Sequence, residues 1–330
     1  MKVLVIGGTE FVGRHLVERG LRLGHEITLF HRGQHGTELF PEAKRVFGDR
    51  DGGLSALGDE TWDAVIDTCG YVPRLVRQSC EFLKDKVGRY LFISTISVLG
   101  DFSQVGLTED SELATLKDPN VEVVNNETYG GLKVLCEEEV NRVFGERALN
   151  VRPGMIVGPY DKTDRFTYWF RRAAKGGAML SMAERDEPAQ FIDGRDLASF
   201  CFHLLEIQAS GAYFATGPQF AMTWGDIFDE AAIQGGSEYE IIRPPLDWMK
   251  EQGVEIGPSF PSQFPSELNR QGIYQIDVQK GLDEGLRFLP LAETIKDTLE
   301  WRDSVADPLK VGFEAEREQE LIELYRRSEF

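Results

Sequence analysis

Nothing in this chain of 330 residues approaches the ~20 consecutive apolar residues that a membrane span needs, so a membrane protein is not expected. Cysteine is scarce: Cys69, Cys80, Cys136 and Cys201 are scattered, with no C-x-x-C pair and no histidine at ligand spacing. They read as buried thiols of a reducing compartment, so neither a disulfide framework nor a metal site is expected. Basic runs are also missing. No stretch of Lys and Arg exceeds a pair, while the formal net charge is −19. Such a field repels nucleic acid, so no nucleic-acid partner is expected; a solubilising surface explains the acid. No internal repeat is visible, and an apolar run that begins by residue 3 leaves no room for a signal peptide. A cytoplasmic protein with a small-molecule substrate is the expectation these absences leave.

What is present begins at the N-terminus. Val3-Leu4-Val5-Ile6 is a short apolar run, followed by Gly7-Gly8-Thr9-Glu10-Phe11-Val12-Gly13 and then by Leu16, Val17 and Leu21 at helical spacing. That order describes a strand, a glycine turn and a helix. Gly7 and Gly8 allow a tight turn and close approach of a pyrophosphate, the amides from Phe11 onward point at it, and Gly13 lets the helix lie near the strand. A glycine loop after a strand is also an ordinary connection, so the motif gains weight only from its company.

That company is Tyr129-Gly-Gly-Leu-Lys133. Tyr and Lys four apart share a helix face, and a tyrosine with an ordinary pKa of about 10 needs a neighbouring cation to act as acid or base near neutrality. Between the two motifs lies Tyr90-Leu-Phe-Ile-Ser-Thr-Ile-Ser-Val-Leu-Gly100, an apolar strand ending in hydroxyls. In an open parallel sheet ligands sit at the carboxyl ends of strands, which brings Ser94, Thr95 or Ser97 toward one pocket.

Strands are expected near residues 3–6, 26–30, 45–47, 64–67, 90–93 and 149–152, with helices between several of them. The fold expected is α/β: a Rossmann-type doubly wound parallel sheet in residues 1–160, and a smaller C-terminal α/β substrate lobe in residues 161–330, partly interwoven with the first. Residues 100–126 are acidic and turn-rich, too long for a routine connection, and read as a loop over the active site. Residues 211–216, 239–243 and the Pro-rich 258–265 are assigned to the lobe. Glu314 to Arg327 reads as a charged surface helix.

Taken together these motifs resemble the extended short-chain dehydrogenase/reductase superfamily, in its NAD-dependent epimerase/dehydratase branch. The likeness also rests on Gly48-Asp49-Arg50, Val65-Ile66-Asp67-Thr68-Cys69-Gly70, Val98-Leu99-Gly100, Arg152-Pro153-Gly154 to Pro159, and Gln190 to Ala198. Within it, the glycine loop and Ile27-Thr28-Leu29-Phe30-His31-Arg32-Gly33 are similar to a bacterial isoflavone-reductase-like subgroup and distantly to chloroplast stem-loop RNA-binding proteins. The resemblance implies a catalytic set of Thr95, Tyr129 and Lys133. It implies a cofactor site drawn from Gly7, Thr9, Glu10, Phe11, Val12, Gly13, Asp49, Arg50, Thr68, Cys69, Gly70, Lys133 and Pro153, with Asp49 against adenine. Glu10 departs from the pattern, standing where a glycine is usual; its side chain is expected at the loop rim, near the adenosine ribose or capping the helix. Ile96 and Ser97 replace the Asp-Glu pair of sugar-nucleotide dehydratases, which disfavours 4,6-dehydration.

Cofactor preference follows from Phe30-His31-Arg32. NAD-selective sites place a carboxylate there, whereas a guanidinium suits a 2′-phosphate, so NADP is expected, with NAD as the alternative. Ser97, Arg165, Tyr168 and Trp169 are candidate substrate contacts. The expected activity is hydride transfer between nicotinamide and a carbonyl/alcohol pair; the alternatives are a sugar-nucleotide epimerase with tightly held NAD, and a non-catalytic nucleotide- or RNA-binding relative. Leu132, Leu135, Val140 and Val143 suggest a homodimer through their helix and the one near residues 75–83.

Overall fold

The structure is a computed structural model that describes residues 1–328. In chain order the first elements are β1 (Lys2–Ile6), α1 (Phe11–Arg22), β2 (Glu26–His31), β3 (Lys44–Phe47), β4 (Trp62–Asp67), α2 (Pro73–Leu83), β5 (Val87–Ile93), α3 (Tyr129–Phe144) and β6 (Ala148–Pro153). Later come α4 (Thr167–Lys175), β7 (Gly177–Leu180), α5 (Gly194–Glu206), β8 (Gly211–Ala215), α6 (Trp224–Gly235), β9 (Tyr239–Ile242), α7 (Leu291–Asp303) and α8 (Ala315–Ser328). They divide between two compact units. The first comprises Met1–Ile156, Phe191–Gln219 and Ile276–Phe288, and the second Val157–Gln190, Phe220–Gln275 and Leu289–Phe330.

The first unit is built on a seven-stranded parallel sheet of order β8-β6-β5-β4-β1-β2-β3. This is a Rossmann-like α/β fold. Its strands are apolar almost without alternation because helices cover both faces. Val3, Val5, Leu29, Ile66, Leu91 and Val151 pack on one side with α1 and α5, through Leu16, Val17, Leu197 and Phe200. Leu4, Ile6, Phe30, Val65, Tyr90 and Phe92 pack on the other with α2 and α3, through Val76, Cys80, Leu83, Cys136 and Val140. Cys80, Cys136 and Cys201 are buried free thiols within these two layers.

Two elements differ from the sequence reading. Residues 211–215, assigned to the lobe, form the edge strand β8, registered Gly211↔Leu149 to Ala215↔Pro153 against β6. Helix α5 also belongs to the first unit, so the chain leaves and returns to it after residue 156. The register of a parallel strand depends on a partner some sixty residues away, and no local pattern carries that pairing.

The second unit carries a two-stranded parallel sheet of β7 and β9 and an aromatic core. Phe166 stacks on Trp224 at 5.3 Å, and Trp169 meets Trp224 edge-on at 5.8 Å and Phe228 at 5.8 Å. Asp164 and Arg302 are buried together there, with Nε donating to Oδ1 over 3.0 Å. No helix of the described residues is long and apolar enough to cross a membrane.

Candidate active site

All seven strands of the large sheet run the same way, so their carboxyl ends form one edge. Along it lie Gly7 after β1, Arg32 after β2, Asp49 after β3, Thr68 to Gly70 after β4, Ser94 and Thr95 after β5, and Pro153 at the end of β6. The order reverses at β1, which has β4 on one side and β2 on the other. A crevice at such a switch point is where open α/β sheets take their ligands.

The glycine loop has the shape a dinucleotide needs. Gly7 and Gly8 have φ of +102° and +97°, a region that costs a residue with a Cβ. A Cβ on Gly7 would run into the Thr68 hydroxyl, and one on Gly13 would stand 2.7 Å from the backbone of Gly8. The loop is therefore folded tightly against the start of α1, and Thr68 closes it from the β4 side by donating to the Ile6 carbonyl at 2.8 Å. Glu10 is exposed and its side chain makes no cap on α1, which removes the helix-capping role expected of it.

At the other end of the crevice, the first turn of α3, which carries Tyr129 and Lys133, lies on the turn that follows Thr95. A Cβ on Gly130 would collide with the Ser97 carbonyl, and one on Gly131 would reach within 2.6 Å of Leu116. The two glycines between Tyr129 and Lys133 thus let α3 lie directly on the turn that follows β5. Thr95 is buried, and its Oγ1 accepts from the Ser97 amide at 3.1 Å, capping the short 3-10 turn Ile96–Val98. Its hydroxyl proton remains to be donated. Ser94 is buried beside it with no partner for its Oγ among the described residues. Ser97 is half-buried.

Lys133 is fully enclosed. Its Nζ donates to the carbonyls of Gly70 at 2.8 Å and Ile93 at 2.7 Å, and lies 4.0 Å from the centroid of the Phe92 ring. Burial pulls its pKa from 10.5 down to about 8, against the upward pull of Cys136, Asp67 and Glu137. It remains an ammonium at neutral pH with two of its three protons committed to strand ends. The third can meet a ribose hydroxyl.

The sequence reading missed Tyr71 and Phe47. The Tyr71 ring lies 6.5 Å from that of Tyr129 and 5.4 Å from Lys133 Nζ, and it is exposed. Phe47, at the end of β3, is 56 % exposed and meets the His31 ring at 5.2 Å. Phe47 ends β3 and Tyr71 lies in the turn between β4 and α2, so an aromatic in or beside a strand-end turn is the sequence signal for both.

Several expectations change. Arg50 does not face a ligand: it is buried and turned inward onto Asp67. Its neighbour Asp49 is exposed, and Oδ1 accepts from the Asp51 amide at 2.9 Å, which leaves Oδ2 for an adenine amine. Cys69 is half-buried in the turn that holds Lys133, and its pKa is raised by burial. Pro153 is buried in the sheet edge. Tyr168 and Trp169 are packed core aromatics of the second unit, with Trp169 Nε1 donating to the Pro261 carbonyl at 2.6 Å; the whole first turn of α4, Thr167 to Phe170, is buried. Arg165 is exposed. A groove of about 710 Å³ in the second unit has Tyr168 on its wall, but its arginines are engaged, Arg172 with Glu318 and Arg171 with Asp303. Of the loop expected over residues 100–126, residues 100–116 are tied to the main sheet. Glu109 accepts from the Phe214 amide at 2.7 Å, its carbonyl accepts from Arg152, and Leu99 bridges Leu113.

A family model of the NAD dependent epimerase/dehydratase family matches residues 3–214. The chain belongs to that family. Among curated proteins it is 26 % identical over 259 residues to the chloroplast stem-loop binding protein of 41 kDa b of Arabidopsis thaliana, covering 73 % of this chain and 65 % of that one. It is 28 % identical over 153 residues to UDP-glucose 4-epimerase of Lactobacillus helveticus, covering 42 % and 46 %. The chain thus spans less than two thirds of the length of either. Among solved structures, UDP-N-acetylglucosamine 4-epimerase from Bacillus cereus superposes with a TM-score of 0.67 at 16 % identity, over 94 % of this chain and 99 % of that one. UDP-glucuronic acid 4-epimerase from Bacillus cereus, in complex with NAD, gives 0.65 at 16 % identity over 93 % and 100 %. At that identity these two speak for the fold.

Proposed function

We propose that the protein is an NAD(P)-dependent redox enzyme acting on a carbonyl/alcohol substrate, with Thr95, Tyr129 and Lys133 as its catalytic residues. The observation that carries this reading is Lys133: an ammonium buried between two strand-end carbonyls, one helical turn from Tyr129. Burying a cation is costly, and a surface helix has no use for it. The glycine loop, where a Cβ would strike Thr68, Leu29 or the Gly8 backbone and so push the turn open, is the part we assign to a dinucleotide, at Gly7, Thr9, Phe11, Val12 and Gly13.

When bound, the nicotinamide supplies the hydride acceptor or donor. Thr95 donates its free proton to the substrate oxygen and fixes its position. Tyr129 gives or takes the proton on that oxygen. Lys133 favours the tyrosinate by its charge and offers its third proton to the nicotinamide ribose. Thr68, Cys69 and Gly70 wall the loop opposite the glycines.

The second reading is a sugar-nucleotide epimerase with retained NAD, favoured by relatives and fold neighbours named as 4-epimerases. One experiment separates the two. Denaturing mass analysis of the purified protein identifies any retained dinucleotide, and absorbance at 340 nm follows net turnover across carbonyl and alcohol substrates. Net turnover supports the reductase; retained NAD with epimer interconversion and no net change supports the epimerase; neither outcome ends the enzymatic reading. The net charge of −19 weighs against the third reading, RNA binding.

For cofactor choice we propose NADP. Arg32 is exposed at the end of β2, where no carboxylate stands. Arg32→Ala is expected to weaken NADPH by on the order of 1.5 to 3 kcal/mol while leaving NADH nearly unchanged. Equal effects on both, measured by fluorescence titration, return the site to NAD.

A homodimer through α2 and α3 rests on the family resemblance. Leu132 and Val140 are spent inside the first unit, and the outer faces carry Arg77–Glu139, Arg142–Glu139 and Arg142–Glu81 ion pairs. Light scattering that returns a monomer mass at micromolar concentration removes the dimer.

A further inference from the structure

Beneath the crevice, the first unit buries a guanidinium and a carboxylate that the catalytic scheme does not use. Arg50 follows β3, and Asp67 is the last residue of β4. Arg50 donates to Asp67 twice, Nη1 to Oδ1 at 2.9 Å and Nη2 to Oδ2 at 2.8 Å, and also to Ser79 Oγ at 2.9 Å on α2. The Asp67 carboxylate accepts two further bonds, from the Tyr90 hydroxyl at 2.8 Å and the Cys69 amide at 3.2 Å. Asp67 is fully buried and Arg50 nearly so.

Stability alone does not call for this arrangement. A buried ion pair often does no better than well-packed apolar residues of the same size, because desolvation cancels the attraction. Direction is what it supplies: four donors, two from Arg50 after β3, one from Cys69 after β4 and one from Tyr90 on β5, converge on one carboxylate and fix its plane. One of those donors is the Cys69 amide, in the middle of the turn Thr68-Cys69-Gly70. The carbonyl of Gly70 then holds Lys133, and Thr68 backs Gly7. At its other end, Arg50 follows Asp49, the residue placed for adenine.

We propose that Arg50 and Asp67 are positioning residues of the dinucleotide site: their buried bidentate pair sets the turn that holds Lys133 and ties it to the adenine end of the crevice. The inference rests on the redox reading above. It also has an electrostatic side. Lys133 is faced by Asp67, Glu137, Cys136 and Arg50, by the carbonyls of Gly70 and Ile93, and by the rings of Phe92 and Tyr71. Asp67 is the stronger influence of the pair, so removing both charges leaves the ammonium easier to deprotonate.

The test uses the full chain and the double variant Arg50→Met/Asp67→Leu, which exchanges the pair for apolar side chains, with Arg50→Lys as a milder second variant that keeps the charge and loses the fork. Calorimetric Kd values for NADP and NAD are measured from pH 6 to 10, alongside thermal melting. The double variant also strips the buried Tyr90 hydroxyl of its acceptor, so it is expected to melt lower than wild type yet remain folded at the assay temperature, bind about tenfold more weakly, and lose affinity at a lower pH on the alkaline side. Arg50→Lys is expected to fall between. A folded double variant with wild-type Kd and an unmoved alkaline limb overturns the proposal. So does unfolding of both variants, since the pair would then serve the fold and not the site. A wild-type chain that binds neither dinucleotide fails at the parent reading, a result distinct from either.

Discussion

Turnover of Tyr129→Phe is expected to fall by roughly 10²- to 10⁴-fold, the range of general acid-base catalysis, while the dinucleotide still binds. The substitution deletes one oxygen. The ring, its place at the start of α3 and its neighbour Tyr71 at 6.5 Å all remain, and thermal melting of the variant checks that the fold is kept. Tyr71 gives the experiment a second edge, because its hydroxyl belongs to an exposed ring near Lys133. If Tyr129→Phe retains near-normal turnover and Tyr71→Phe does not, the proton passes through Tyr71 and the catalytic assignment moves with it. If both variants turn over normally, the Tyr-x-x-x-Lys pattern is only a helix surface.

Lys133→Met is expected to lose both turnover and cofactor affinity, and to change how stability depends on pH. The folded pKa of about 8 lies below the 10.5 of an exposed lysine. Below pH 8 both folded and unfolded chains carry the proton, and the folded state bears the full cost of burying it. Between about 8 and 10.5 the native protein gives the proton up while the unfolded chain keeps it, so stability rises with pH across that window. The methionine variant lacks this gain. The stability of wild type relative to Lys133→Met should therefore grow from pH 7 to pH 10, by about 3 kcal/mol at most for a difference of this size. Urea denaturation of both proteins at the two pH values measures it, and a difference that stays flat would mean that Lys133 is not buried as a cation.

Physical periodicity explains which features could be read in advance. The six expected strands are present with no end moved by more than three residues, because continuous apolar runs bounded by glycine and polar turns announce a parallel sheet covered on both faces. The glycine loop was legible for the same reason: Gly7, Gly8 and Gly13 are demanded by backbone angles and by close approach, both local matters. The aromatic run on α4 was misleading. Trp169 reads equally as a ligand platform or as core, and only its neighbours Trp224, Phe228 and Phe260, drawn from distant segments, decide for core.

By itself, then, the sequence determined the strands of the α/β sheet, the glycine loop after the first of them and the Tyr129–Lys133 spacing, because each depends on residues within a few positions of one another. Tertiary structure decided the rest. It turned Arg50 from a ligand contact into the buried partner of Asp67, made residues 211–215 an edge strand of the main sheet, and pinned residues 100–116 through Glu109. It also gave Lys133 its two carbonyl partners. These outcomes depend on which groups lose water together, and burial is a property of the whole chain that no local pattern records.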